Sequence, residues 1–167
     1  LHTAGQVAHW FFAPDGKTLY GSGVDQSPAK ANLPRHECWE NWAVDLATGK
    51  VAAIDLGGEY RVIGTDADGG RFAAVRTFDL RPVAPGVFGP KVEAAWVDRA
   101  TLRPAVAVPA DVDVMPVAAL PDGGRWLVRI DPGKAGLDRL AVVGAGGKPA
   151  AGMEDVPAGA VRAVAVS

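Results

Sequence analysis

"FFAPDGKTLY", residues 11–20, is an apolar run, a Pro-Asp-Gly-Lys turn and a second apolar run. Asp accepts backbone hydrogen bonds locally and Gly tolerates positive φ, so the stretch predicts a tight β-hairpin. The pattern returns as "GTDADGGRFAAV" at 64–75 and as "AALPDGGRWLVRI" at 118–130. The turn glycines Gly16, Gly69 and Gly123 lie 53 and 54 residues apart. Self-similarity at that period is the mark of a repeat architecture.

A second hairpin signal runs in step with the first. "NWAVDLATGKVAAIDL" at 41–56 is matched by "EAAWVDRATLRPAVAV" at 93–108, with Asp45 and Asp98 again 53 residues apart. "RLAVVGAGGKPAAGM" at 139–153 is a weaker third copy. Two hairpins per unit make four strands per unit. "AGAVRAVAVS", 158–167, is expected to be the first strand of a fourth unit.

Composition agrees with a folded all-β chain. Of the 167 residues 49% are hydrophobic and 22% charged, which argues against disorder. Small and β-branched residues with 21 Gly and 13 Pro favour short strands and many turns. No stretch keeps a 3.6-residue apolar period over three turns, so a helical fold is excluded. A β-sandwich would not require two matched hairpins at one fixed spacing. The net charge of -2 is made of interspersed signs, so nothing points to nucleic acid. No apolar run reaches membrane-spanning length. The single cysteine, Cys38, excludes an internal disulfide. The cytoplasm is the expected compartment, with a preceding signal segment as the alternative.

The order apolar strand, "PDGK", strand, insert, "VDLATGK", strand resembles a blade of a WD-repeat-like or TolB/YVTN-like β-propeller. The resemblance covers nearly the whole chain. Strict WD repeats carry Gly-His and Trp-Asp pairs; here the second position reads "AVD" or "WVD" and no Gly-His is present. It implies an all-β, partial β-propeller of four-stranded antiparallel blades. The expected blades span roughly 5–57, 58–109 and 110–153, with 158–167 opening another.

A blade packs face to face on its neighbours, and propellers usually close with about four to eight blades. Three blades and a strand would leave two faces bare, with Trp10, Phe12, Trp42, Trp96 and Trp126 as expected face residues. Large bare apolar faces are seldom tolerated by soluble monomers. The expected partners are therefore the remaining blades of a longer propeller, or a second copy of the chain.

By analogy with propellers, the two short turns of each blade share one face, and the connections between its second and third strands lie on the other. Two long inserts fall there: "VDQSPAKANLPRHECWE" at 24–40 and "FDLRPVAPGVFGPK" at 78–91. The sequence reads both as irregular loops, and such loops often carry recognition. Arg35, His36, Trp39, Arg81 and Phe88 are the candidate binding residues, since Arg and aromatic side chains dominate binding energy. They point to a protein or peptide partner. The structural alternative is that the loops merely cover the outer strands.

No cofactor is expected. His36 and Cys38 are too few for a zinc site, and no orienting acid accompanies them for nucleophilic catalysis. Asp66 and Asp68 suit a hairpin turn better than a calcium loop, and so do Asp111 and Asp113. The glycines at 144, 146 and 147 open no phosphate loop. The expected function is a non-catalytic scaffold or interaction module. The alternatives are a subunit or fragment of a propeller enzyme, or a periplasmic ligand sensor. An enzyme would place reactive groups on the innermost strands, where only His9, Arg61, Asp113 and Arg162 are available.

Overall fold

The computed structural model describes residues 7–30, 32–33, 38–84, 87–111, 113–130, 139–148 and 156–157. Twelve strands are found among them. They are β1 (Val7–Phe12), β2 (Thr18–Val24), β3 (Trp39–Asp45), β4 (Val51–Ile54), β5 (Tyr60–Thr65) and β6 (Arg71–Ala84). β7 (Val87–Asp98), β8 (Pro104–Asp111), β9 (Val114–Ala119), β10 (Trp126–Ile130), β11 (Arg139–Val143) and β12 (Val156–Pro157) follow. They form three four-stranded antiparallel sheets, ordered β1-β2-β3-β4, β5-β6-β7-β8 and β9-β10-β11-β12. Each is a meander of sequence neighbours, and the chain is a partial β-propeller.

The repeated turns hold each blade in register. Gly16, Gly69 and Gly123 have φ of 66°, 67° and 68°, the left-handed region that a residue without Cβ enters freely. In the other hairpin Asp45 Oδ1 accepts from the N–H and the hydroxyl of Thr48, at 2.7 and 2.8 Å. Asp98 does the same with Thr101, at 2.8 and 2.7 Å. These bonds hold both Asp carboxyls below the usual carboxylate range.

The middle sheet is buried on both sides. Phe72, Ala73, Ala74 and Val75 are all buried, as are Ala94 to Val97. Side chains alternate across a strand, and here both sets find a core. Phe72, Ala74, Ala95 and Val97 pack with Ala13, Tyr20, Tyr60 and Val62 against the first sheet. Ala73, Val75, Ala94 and Trp96 pack with Trp126, Val128, Ala141 and Val143 against the third. That is why "FAAV" (72–75) and "AAWV" (94–97) are continuously apolar instead of alternating.

The first sheet has one covered and one open face. Trp10, Gly21 and Trp42 stand opposite one another across β1, β2 and β3. The two indoles stack at 5.9 Å between centroids. Gly21 permits this, because a Cβ there would run into the Trp10 ring. Phe12 stands in the next row with Leu19 and Val44. Trp10 is 44% and Phe12 64% exposed. The outward face of the third sheet carries Leu127, Leu140 and Val142, all half-buried, beside the exposed Arg129.

Two expectations are corrected. Trp96 and Trp126, expected on the bare end faces, are buried in the core between the second and third sheets, because the aromatic side of each strand there meets a neighbouring blade. Residues 78–84 and 87–91 are not an irregular insert: β6 and β7 continue through them as a long antiparallel pair, from Arg71↔Asp98 to Ala84↔Val87. The flanking strands stop earlier, β5 at Tyr60↔Arg76 and β8 at Val92↔Asp111. Beyond those rungs, among the described residues, the hairpin is a two-stranded ribbon with no further strand on either edge. Pro82 and Pro90, which lack a donor, are tolerated where a strand has an open edge or a bulge. Register shifts at Phe78/Leu80 and Pro82/Ala84 absorb the mismatch. The closing segment 158–167 lies outside the described residues.

Candidate binding face

Strands β1, β5 and β9 begin on the side where β6 runs out into its long ribbon. The sequence places its recognition residues on this side. Arg35 and His36 lie outside the described residues. Cys38 is 2% exposed and immediately precedes β3. Trp39 opens β3, where its N–H donates to Gly58 O at 2.8 Å. Arg81 and Phe88 lie on the ribbon, Arg81 opposite Gly89 and Phe88 opposite Pro82, in adjacent rungs. Trp39 and the root of the ribbon meet: Trp39 and Thr77 line one cavity with Arg61, Val75, Val92, Met115 and Pro116.

Arg61 points into the gap between the second and third sheets, since it stands opposite Val75, a residue of the core between those sheets. Its guanidinium carbon lies 5.1 Å from the centre of the Trp39 ring. Burial pulls its pKa down from the usual arginine value. Its Nε is sealed from solvent with no hydrogen-bond acceptor. Three other arginines have carboxylates: Arg71 with Asp66 at 2.9 Å, Arg76 with Glu59 at 3.1 Å, and Arg125 with Asp122.

On the first sheet three polar side chains reach across to the backbone of β5. His9 Nε2 lies 3.0 Å from Ile63 O and acts as the donor. Ser22 Oγ donates to Val62 O at 3.1 Å. Asn41 donates from Nδ2 to Tyr60 O at 2.9 Å and accepts the Val62 N–H at 2.8 Å. Burial lowers the His9 pKa; the Ile63 carbonyl works against this and the Arg61 cation adds to it. Ser22 and Asn41 are buried polar residues whose partners are backbone atoms of another blade, which no local pattern reveals.

Near the ribbon, Tyr60 donates to Glu93 at 2.6 Å. Burial and that carboxylate push its phenol up to about 12. Two further inner-strand groups were expected. Asp113 is exposed, its N–H held by Asp111, and Arg162 lies outside the described residues. Among the described residues no group of three or more His, Cys, Asp or Glu could hold a metal ion.

No protein-family model matches the chain, and no curated protein matches it. Among solved structures it is similar to the Pyrococcus horikoshii acylaminoacyl peptidase in its orthorhombic crystal form, at 11% identity and a TM-score of 0.55. The uncomplexed form of that enzyme gives 12% and 0.53. An acylaminoacyl peptidase in complex with Z-Gly-Gly-Phe-chloromethyl ketone gives 11% and 0.55. In each case 92% of this chain is covered, against 25% of the other. The chain thus spans a quarter of the length of the structures it matches. At this identity the likeness is one of fold: the neighbours are propeller domains.

Proposed function

We propose that this chain is a divergent WD-like segment of a larger propeller, a non-catalytic platform that grips a protein or peptide on the face bearing Trp39 and the β6–β7 ribbon. The observation that carries this is the length of that hairpin. β6 has 14 residues and β7 has 12, whereas β2 and β3 have 7 each and β10 and β11 have 5 each. A ribbon extending past its own sheet adds no further pairing to the blade's outer strands there, among the described residues, and it carries the Arg81 and Phe88 positions. Open edges offer backbone donors and acceptors to an added strand. Further blades, supplied by the same polypeptide or by a second copy, cover the Trp10 and Phe12 face.

Affinity capture with the intact protein and with the Trp39→Ala/Phe88→Ala double variant tests the platform. Loss of a partner that the intact protein retains is expected, with the fold preserved by circular dichroism. An unchanged set of retained proteins removes the ribbon face as the recognition surface.

A further inference from the structure

We infer that the cavity formed by Arg61, Trp39 and Thr77 is a carboxylate-binding pocket that takes the C-terminal carboxylate of a peptide. The inference rests on the peptide-platform reading and gives it a chemistry.

Arg61 is a half-buried cation whose Nε has no acceptor. Among the described residues no carboxylate pairs with it. Buried arginines are normally paired, because an uncompensated cation away from water is costly. Two features of the site favour an external anion as the missing partner. First, the residue lines a cavity of about 200 Å³ that contains no acidic side chain. That is room for a carboxylate and the residue carrying it, and is smaller than the roughly 300–1,000 Å³ of drug-sized sites. Second, the groups around it suit a planar anion. The Trp39 ring lies against the guanidinium, 5.1 Å from its carbon. Thr77 supplies a hydroxyl, and Val75, Val92, Met115 and Pro116 supply apolar walls. A planar guanidinium recognises a carboxylate through paired N–H donors, and apolar walls strengthen that attraction by excluding water. Thr77 is also the residue at which the ribbon leaves the sheet, so a peptide lying along the ribbon edge would end at this cavity.

The probes are acetate, N-acetyl-glycyl-glycine and the C-terminal amide of the same peptide. They are titrated into the intact protein by calorimetry and by the ¹H–¹⁵N signal of the Arg61 Nε–H. Acetate and the free acid should move that signal saturably. The free acid should bind at least about tenfold more tightly than the amide. Arg61→Gln should abolish the difference, and Thr77→Val should weaken acid binding while the fold is retained. If Arg61→Gln does not fold, the wild-type titration and Thr77→Val decide the question. Equal binding of acid and amide, or an Nε–H signal indifferent to acetate, overturns the pocket. Acetate needs no protein partner. A saturable acetate response alongside partner capture indifferent to Trp39→Ala/Phe88→Ala would therefore keep the pocket and remove the platform; the reverse pair of results would keep the platform and remove the pocket.

Discussion

Apolar cores join the first sheet to the second and the second to the third, but among the described residues side-chain hydrogen bonds cross only the first of these interfaces. Across the first interface His9, Ser22 and Asn41 reach the Tyr60, Val62 and Ile63 backbone of β5. Fifty-three residues on from Ser22 and Asn41 stand Val75 and Ala94, both in the apolar core against the third sheet. There the space is filled by Trp96 and Trp126, with ring centres 5.3 Å apart. One repeat thus stacks blades in two ways. The polar interface is directional: its donors and acceptors meet the strand only in one register. The apolar interface draws its strength from area and tolerates small slides. Polar groups that are fully satisfied fix a unique arrangement, whereas partly satisfied ones destabilise it.

The largest effect is expected where the apolar interface is opened. Trp126 is fully buried between the sheets, and Trp126→Ala should cost about 3–5 kcal/mol, read as a fall in the urea midpoint. A loss below about 1 kcal/mol would show that the second and third sheets are not packed face to face.

Breaking the polar interface should cost a comparable amount. Asn41→Leu leaves the Val62 N–H and the Tyr60 carbonyl buried without partners, at roughly 1–3 kcal/mol each. The reciprocal change, Ala94→Asn, puts an amide into the apolar interface with nothing to receive it and should also destabilise. If Ala94→Asn were neutral in urea unfolding, the contrast between the two interfaces would collapse. Ser22→Ala removes one bond to Val62 O and should cost about 1 kcal/mol by the same measurement.

The smallest effect should be that of pH on the polar interface. Burial holds the His9 pKa below its ordinary value of 6.5, so the folded state binds fewer protons than the unfolded one just below that pH. Stability from this group is complete above 6.5 and declines as pH falls through 6.5 towards the lowered folded value. The melting temperature should drop between pH 7.5 and pH 5, and His9→Gln should flatten part of that drop. An identical pH profile for the variant would detach His9 from the interface.

The strands and their pairing were legible because Asp15-Gly16, the Asp45–Thr48 turn and their repeats set strand direction by local chemistry. Trp10, Phe12 and Trp42 were legible as residues of a bare end face, but Trp96 and Trp126 were not: they fill the core between the second and third sheets. The ribbon was misread. Pro82, Gly89 and Pro90 are loop signals in any central strand, but not in a two-stranded extension that has no further strand beside it among the described residues. The clamps of Ser22 and Asn41 were illegible for a different reason: their partners are backbone atoms, which carry no sequence signature. Arg61 entered the sequence reading only as one of four groups available on the innermost strands. Its neighbour Trp39 belongs to another blade, so their meeting could not be read from either strand.

The central claim is that three sheets stack face to face with the β5–β8 sheet enclosed between the other two. Native-state hydrogen exchange, resolved by residue, tests it most directly. The amides of 72–75 and 94–97 should exchange most slowly in the chain, slower than those of β1 and β11. Exchange across β6 and β7 as fast as in those strands would contradict it.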